Sequence, residues 1–191
     1  MDLIIIDPGH GGEDPGAVNI DTGLEEKNIN LTVAKKLWGM LSSPSCGDLI
    51  RLTRTTDISV PLADRAGYAN HLKECFPESS ACFVSIHCNS FPDSSVRGVE
   101  VFHFPGSKEG ERLAGFTIEA MSRGFPGLPL RGIKANPNFL VLRDTIMPAV
   151  LIEMEFISNP EAVLILADEK CQMKMAQSIA EGIRNRREAR G

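Results

Sequence analysis

Short, strongly apolar runs separated by longer amphipathic segments are the feature that most constrains the fold of this chain. The clearest runs cover residues 3–6, 81–87 and 149–156. Runs of this length are typical of strands that are buried on both faces of a parallel sheet. Between them, residues 29–41 and 108–123 place apolar side chains three and four positions apart, which predicts helices with one buried face. The alternation of the two patterns predicts an α/β protein.

The same patterns along the whole chain predict about six strands and five helices. The predicted strands are 3–6, 49–53, 81–87, 98–104, 139–142 and 149–156. The first predicted helix starts after a capping box formed by Thr22 and Glu25 and ends near Leu41. The other helices are 62–72, 108–123, 160–167 and 169–186, and the segments 42–48 and 124–138 are predicted loops. We expect a three-layer sandwich around a mostly parallel mixed sheet, with helices on both faces, as one domain over residues 1–191.

Composition and charge exclude several classes of function. The net charge is −5 in 191 residues, and nucleic-acid binding needs clustered Lys and Arg, so we expect no nucleic-acid partner. The five cysteines include no CxxC pair, which argues against a zinc site made of thiolates. No apolar run reaches the roughly 18 residues of a membrane span, and the N-terminus lacks the pattern of a signal peptide. We therefore expect neither a transmembrane segment nor a signal segment in this chain.

Polar side chains with metal-binding chemistry lie where predicted strands end. His10 follows the first strand, within the glycine-rich stretch IIIDPGHGGEDPGA, His87 ends the central strand, and Glu153 lies in the last strand. In open α/β sheets, ligands bind in the crevice at the carboxyl ends of the strands, so we expect these side chains to lie close together. The glycines around His10 would let the loop turn sharply and let a metal and a substrate approach the backbone.

A fourth candidate opens the first helix, and helical phase distinguishes between two neighbouring glutamates. Glu26 shares a face with Ile29 and Val33, the face that is expected to point inward, whereas Glu25 lies on a more polar side. A buried carboxylate is costly unless it has a partner. Two histidines and one carboxylate form a suitable zinc shell whose fourth position is left open for water. His10, Glu26 and His87 are therefore the predicted ligands of one zinc ion.

Each of these residues also has a purely structural explanation. His10 fits an ordinary turn, His87 fits a hydrogen-bonded core histidine, and Glu26 fits an ion pair with Lys27 or Lys35. A structural role is harder to assign to Glu153, because a carboxylate among Leu, Ile and Met is energetically costly. No catalytic role is predicted for His71, His103, Glu13 or Asp14. The metal-site hypothesis depends on the combination of the four candidates.

Eight motifs in order resemble those of the zinc-dependent N-acetylmuramoyl-L-alanine amidases of the amidase-3 type. They are IIIDPGHGGEDPGA, EKNINL, RLTRTTD, LADRAGYAN, FVSIHCNS, GVEVF, FLVLRDTIMPAVLIE and FISNP. The resemblance extends from residue 3 to about residue 183. It implies cleavage of the amide between N-acetylmuramic acid and the L-alanine of the stem peptide in peptidoglycan. It also implies a zinc ion held by His10, Glu26 and His87, with Glu153 as the catalytic acid/base.

The resemblance further implies a peptidoglycan substrate, action in the cell envelope and a monomeric enzyme. Two alternatives stay open at this point, namely a zinc peptidase that cuts within the stem peptide and a cell-wall binding module without catalysis. Glu155 and Cys88 depart from residues that are frequent in the family, glycine and alanine respectively. We expect Glu155 to point past the strand end into solvent; the alternative is that its charge raises the pKa of Glu153. The short connection after residues 98–104 predicts no inserted inhibitory helix at this point.

Overall fold

The computed structural model describes residues 1–42 and 47–189, so most of the predicted loop at 42–48 lies outside the described residues. The strands in chain order are β1 (Asp2–Pro8), β2 (Leu49–Leu52), β3 (Ser80–Asn89), β4 (Val99–His103), β5 (Leu130–Ala135) and β6 (Ala149–Phe156). The helices are α1 (Glu26–Leu41), α2 (Leu62–Cys75), α3 (Lys108–Gly124), α4 (Leu140–Arg143), α5 (Ala162–Ala167) and α6 (Glu169–Glu188).

The strands form one six-stranded sheet in the order β2-β1-β3-β6-β4-β5. All neighbouring strands in it are parallel except β4 and β6, which pair antiparallel. The predicted mostly parallel mixed sheet is therefore confirmed. Because β1, β3 and β6 run in the same direction and are adjacent, their carboxyl ends meet at one edge of the sheet.

Helices cover both faces of the sheet, which confirms the three-layer architecture. Alternate side chains of β1 point to opposite faces, so Ile4 and Ile6 join one core and Leu3 and Ile5 join the other. The first core packs against α1, α3, α5 and α6, and the second against α2 and α4. None of the helices in the described part of the chain is long and apolar enough to cross a membrane.

Two predicted elements near residue 135 are wrong. The run at 139–142 is not a strand but the single helical turn α4, in which Val141 and Leu142 are both buried. Four apolar residues carry too little periodicity to distinguish a strand from a helical turn. The strand that takes its place, β5, lies within the predicted loop 124–138. It is an edge strand with mostly exposed side chains, so it lacks the apolar pattern of the buried strands.

The predicted capping box is also wrong, because α1 begins at Glu26 and not after Thr22. Val18 and Glu25 form a β-bridge, and Gly23 takes a positive φ of 69° between them, so a tight turn precedes the helix. The Thr22 hydroxyl donates to Asn19 Oδ1 at 2.9 Å. The consequence for the site is that Glu26 lies in the first helical turn, immediately next to the loop after β1.

Candidate functional site

Three side chains from distant parts of the chain meet at the carboxyl edge of the sheet. His10 follows β1, Glu26 begins α1, and His87 lies near the end of β3. One potential ligand atom from each side chain lies within 4.8 Å of those of the other two. Among residues 1–42 and 47–189, this is the one group of His, Cys, Asp and Glu side chains that could hold a metal ion.

Glu26 lies between the two histidines and contacts both. Its Oε2 is 3.2 Å from His10 Nε2, and its Oε1 is 3.0 Å from His87 Nδ1. Backbone amides hold the same carboxylate, since Ala17 N–H donates to Oε2 at 2.9 Å and Cys88 N–H donates to Oε1 at 3.0 Å. Glu26 is 3 % exposed, as its helical phase predicts. The carboxylate is therefore fixed in one orientation before any ligand binds.

An ion pair between Glu26 and a lysine, the structural alternative, is not found among the residues that the structure describes. Lys27 Nζ donates instead to the carbonyl oxygen of Gly12 at 2.8 Å and to Asp57 Oδ2 at 3.0 Å. Glu25, the neighbour that helical phase disfavours, accepts a hydrogen bond from Asn28 at 3.0 Å on the helix surface. The inward position of Glu26 therefore brings its carboxylate to His10 and His87 and not to a lysine.

The electrostatics of this group favour a positive charge at its centre. Burial alone would lower the pKa of His10, but the hydrogen bond and charge of Glu26, helped by Asp14, raise it to about 9. The pKa of His87 is also raised against the effect of burial, chiefly by Glu26. Burial opposes ionisation of Glu26, yet its hydrogen bonds with both histidines hold its pKa well below the usual range. A set of two nitrogens and a carboxylate that stabilises added protons in this way also suits a metal cation.

Asp14, for which the sequence predicts no role, also contributes to this group. Its Oδ2 accepts a hydrogen bond from His10 Nδ1 at 2.8 Å, and its Oδ1 accepts one from Gly16 N–H at 3.0 Å. The bond to Nδ1 leaves Nε2 of His10 free to face Glu26. The sequence feature that could have indicated this contact is an acidic residue four positions after a candidate ligand histidine. A carboxylate on the second ring nitrogen is the usual device that orients a metal-binding histidine.

Two glycines make room for these side chains. A Cβ on Gly9 would overlap the His87 ring, and a Cβ on Gly16 would lie 2.6 Å from Glu26 Oε2. His10 itself has a φ of 60°, the one positive φ among the non-glycine residues that the structure describes. Strain of this kind is typical of functional sites. The glycines were expected to give the loop its turn and a ligand its space; the structure shows that they accommodate the neighbouring candidate ligands.

Two buried arginines, for which the sequence predicts no role, hold the strained loop in place. Arg65 donates to the carbonyl oxygens of Pro8 at 2.7 Å and His10 at 2.8 Å, and forms an ion pair with Asp7 at 2.8 Å. Arg54 donates to the carbonyl oxygens of Pro8 and Gly9 at 3.0 and 2.9 Å. Their signal lay in the motifs RLTRTTD and LADRAGYAN, each of which contains one of them.

Glu153 lies beside this group on β6, where its Cα pairs with that of His87 on β3. Its Oε2 is buried and, among the described residues, has no hydrogen-bond partner. Burial raises the pKa of Glu153 to about 7, although the charge of His87 acts in the opposite direction. A carboxyl group with a pKa near neutrality can both accept and donate a proton at physiological pH.

These four side chains open into one crevice of about 350 Å³. Its opposite wall comes from α4 and the residues just before it, including Asn138, Phe139 and Leu140. Of the predicted loop 124–138, only the last residue, Asn138, lines this crevice. Residues 104–107 connect β4 directly to α3, so no helix is inserted at this point.

The expectation that Glu155 points into solvent is wrong. Glu155 is 0 % exposed, and its Oε1 accepts a hydrogen bond from Gly98 N–H at 2.6 Å. The antiparallel register that pairs Glu100 on β4 with Glu153 on β6 brings Gly98, just before β4, opposite Glu155. Cys88 is buried, and its backbone supports Glu26. His71 and His103 lie on α2 and β4, outside the group described above.

Comparison with known proteins matches the sequence of this chain to one protein family. The family model described as N-acetylmuramoyl-L-alanine amidase, amidase-3, matches residues 4–185. A germination-specific N-acetylmuramoyl-L-alanine amidase of Bacillus subtilis strain 168 is 29% identical over 189 residues, covering 95% of this chain and 78% of that protein. A probable cell wall amidase, LytH, of Staphylococcus epidermidis is 32% identical over 182 residues. That match covers 95% of this chain and 57% of the relative, so the chain spans little more than half of that protein.

Solved structures agree with the family match. The crystal structure of an N-acetylmuramoyl-L-alanine amidase from Clostridium difficile 630 superposes with a TM-score of 0.90 at 32% identity. The superposition covers 100% of this chain and 98% of that one, which confirms the predicted α/β fold over its whole length. Because the family model matches nearly the entire sequence and the structural agreement is equally complete, this chain belongs to the amidase-3 family of N-acetylmuramoyl-L-alanine amidases.

Proposed function

We propose that this chain hydrolyses peptidoglycan at the amide between N-acetylmuramic acid and the L-alanine of the stem peptide. The observation that carries the proposal is that His10, Glu26, His87 and Glu153 line one crevice, and that Glu153 Oε2 has no hydrogen-bond partner among the described residues. Family membership supports the same activity. The site is built by a single chain, so we propose a monomeric enzyme formed as one domain over residues 1–191. Since peptidoglycan lies outside the cytoplasmic membrane, its place of action would be the cell envelope.

In this proposal, His10, Glu26 and His87 would hold one zinc ion. When bound there, zinc would supply Lewis-acid chemistry, that is, polarisation of the scissile carbonyl and a lowered pKa of the attacking water. Glu153 accepts a proton from the attacking water at Oε2, the oxygen without a hydrogen-bond partner in the described part of the chain. As the carbon–oxygen bond forms and the carbon–nitrogen bond breaks, Glu153 donates that proton to the departing amine of L-alanine. Asp14 and the two buried arginines keep His10 in position throughout.

Mass spectrometry of a defined muropeptide digested by the zinc-loaded protein tests this function. We expect two products, one with a free lactyl carboxyl group on muramic acid and one with a free amine on L-alanine. A cut within the stem peptide would instead support the zinc peptidase alternative. Binding to purified cell walls without any cleavage would support the binding-module alternative.

Zinc added to the metal-free protein should raise its melting temperature. A ligand that binds only the folded state stabilises it by about 2.7 kcal/mol at a hundredfold excess over its Kd, or roughly 5–10 °C for a chain of this length. Glu26→Gln should abolish the increase, whereas Glu25→Gln, a substitution on the helix surface, should preserve it. Differential scanning calorimetry measures the effect. If zinc leaves the melting temperature of the wild-type protein unchanged, the assignment of His10, Glu26 and His87 as zinc ligands is wrong.

Asp14→Asn should weaken zinc binding by roughly 10–100-fold, the usual effect of removing a carboxylate that orients a histidine ligand. The physical reason is that an amide orients the His10 ring less strongly than the carboxylate that now contacts Nδ1 at 2.8 Å. Competition with a chromophoric chelator measures the zinc affinity. The matched control is Glu13→Gln on the adjacent exposed residue, which should leave the affinity unchanged. Equal affinities for the two variants would remove Asp14 from the site.

A further inference from the structure

A second cluster of charged side chains adjoins the crevice and has no part in the reaction proposed above. Its centre is Glu100 on β4, whose Cα pairs with that of Glu153 across the antiparallel β4–β6 ladder. The Glu100 side chain is 5% exposed. Its Oε1 accepts a hydrogen bond at 2.6 Å from the side chain of Asn89, which lines the crevice. The cluster therefore begins directly behind the crevice wall.

The other oxygen of Glu100 binds two cations from the edge strand β5. Arg131 Nε donates to Oε2 at 2.9 Å, and the Lys134 ammonium group donates to the same atom. Aromatic rings help to place both cations, since the guanidinium carbon of Arg131 lies 5.1 Å from the centre of the Phe156 ring and Lys134 Nζ lies 5.7 Å from that of Phe102. Both positions are thus set before a ligand arrives.

Both cations of the cluster remain accessible from solvent although they share one carboxylate oxygen. Their side chains are 38% and 39% exposed. The charge of Arg131 also acts on the buried Glu155. Within the described residues, the Nη1 and Nη2 groups of Arg131 donate no hydrogen bond to the protein. Such a pair of parallel N–H donors matches the two oxygens of a carboxylate.

We propose that Arg131 and Lys134 bind a carboxylate of the stem peptide and so direct the peptide half of the substrate along β4 and β5. This inference rests on the proposed function. The positive charges of Arg131 and Lys134 favour the peptide half of the substrate over the glycan half at this position. The stem peptide carries carboxylates, whereas the glycan half is neutral. Neighbouring strands lie about 4.8 Å apart, so β5 lies roughly 10 Å from Glu153 on β6. An extended peptide spans about 3.3–3.6 Å per residue, which places the recognised carboxylate two to three residues from the scissile amide.

The test compares two muropeptides that differ only in charge. One has free carboxylates on the second and third residues of the stem peptide, and the other has both converted to carboxamides. For wild-type enzyme we expect kcat/KM to be roughly tenfold or more higher for the free acid, because charge-assisted hydrogen bonds are lost in the amide. Equal values for the two substrates would overturn the inference and leave the proposed function intact. If the wild-type enzyme cleaves neither substrate, the proposed function is wrong, and the inference that rests on it is wrong as well.

Variants then assign the preference to the two cations. In the double variant R131Q/K134Q the ratio of the two kcat/KM values should fall to about one. R112Q, which removes an exposed arginine paired with Glu109 on α3, should keep the wild-type ratio. Because the double variant leaves Glu100 buried without its cations, K134Q alone is measured as well and should lower the ratio partly. A wild-type ratio in both variants would show that these cations do not bind the peptide.

Discussion

Glu153→Gln should lower kcat by roughly 10²–10⁴-fold while zinc remains bound, the range expected for loss of a general acid/base. Glutamine keeps the size of the side chain but can neither accept nor return a proton. The pKa of Glu153, about 7, now suits it to both steps. The hydrolysis rate of a defined muropeptide measures the loss in kcat. Atomic absorption measures whether zinc remains bound.

Glu155→Gln is the matched control for this experiment. Glu155 lies two residues further along the same strand, but its carboxylate accepts hydrogen bonds from Gly98 N–H and is fully buried. We expect its kcat to stay within about threefold of wild type, because a residue that contacts no reacting atom affects only folding stability. Full activity in Glu153→Gln, or a large loss in Glu155→Gln alone, would show that the catalytic glutamate has been assigned to the wrong residue.

Arg65→Met should destabilise the folded protein by about 3–5 kcal/mol, as expected when one partner of a buried ion pair is removed. The substitution leaves Asp7, 1 % exposed, without its charged partner and frees two carbonyl oxygens of the loop that bears His10. Urea denaturation followed by circular dichroism gives the free energy of unfolding.

Arg112→Met serves as the control for Arg65→Met, because Arg112 forms an exposed ion pair with Glu109. Exposed pairs of this kind contribute about 0–1 kcal/mol. A loss of similar size in both variants would mean that Arg65 adds no more stability than a surface arginine. If Arg65→Met stays folded, it should also bind zinc less tightly, since the carbonyl oxygen of His10 is no longer held.

The buried strands and the main candidates for the site could be predicted from local patterns. β1, β3 and β6 are apolar over most of their length, because both faces of the sheet centre are covered. Edge strand β5 does not need apolar side chains on both faces, so its sequence lacks the strand pattern and predicts a loop. The start of α1 was misplaced because the bridge between Val18 and Glu25 competes with the capping box. Interactions between non-adjacent residues decided both cases.

Local patterns in the sequence predict the α/β class, the positions of His10, His87 and Glu153 at or near the carboxyl ends of strands, and the inward face of Glu26. These follow from periodicity and strand direction, which are local properties of the chain. The folded molecule is needed to see that Arg54 and Arg65 hold the His10 loop and that Glu155 contacts Gly98. Each of these contacts joins residues more than forty positions apart. No pattern within one segment contains that information, because it arises only when the segments pack together.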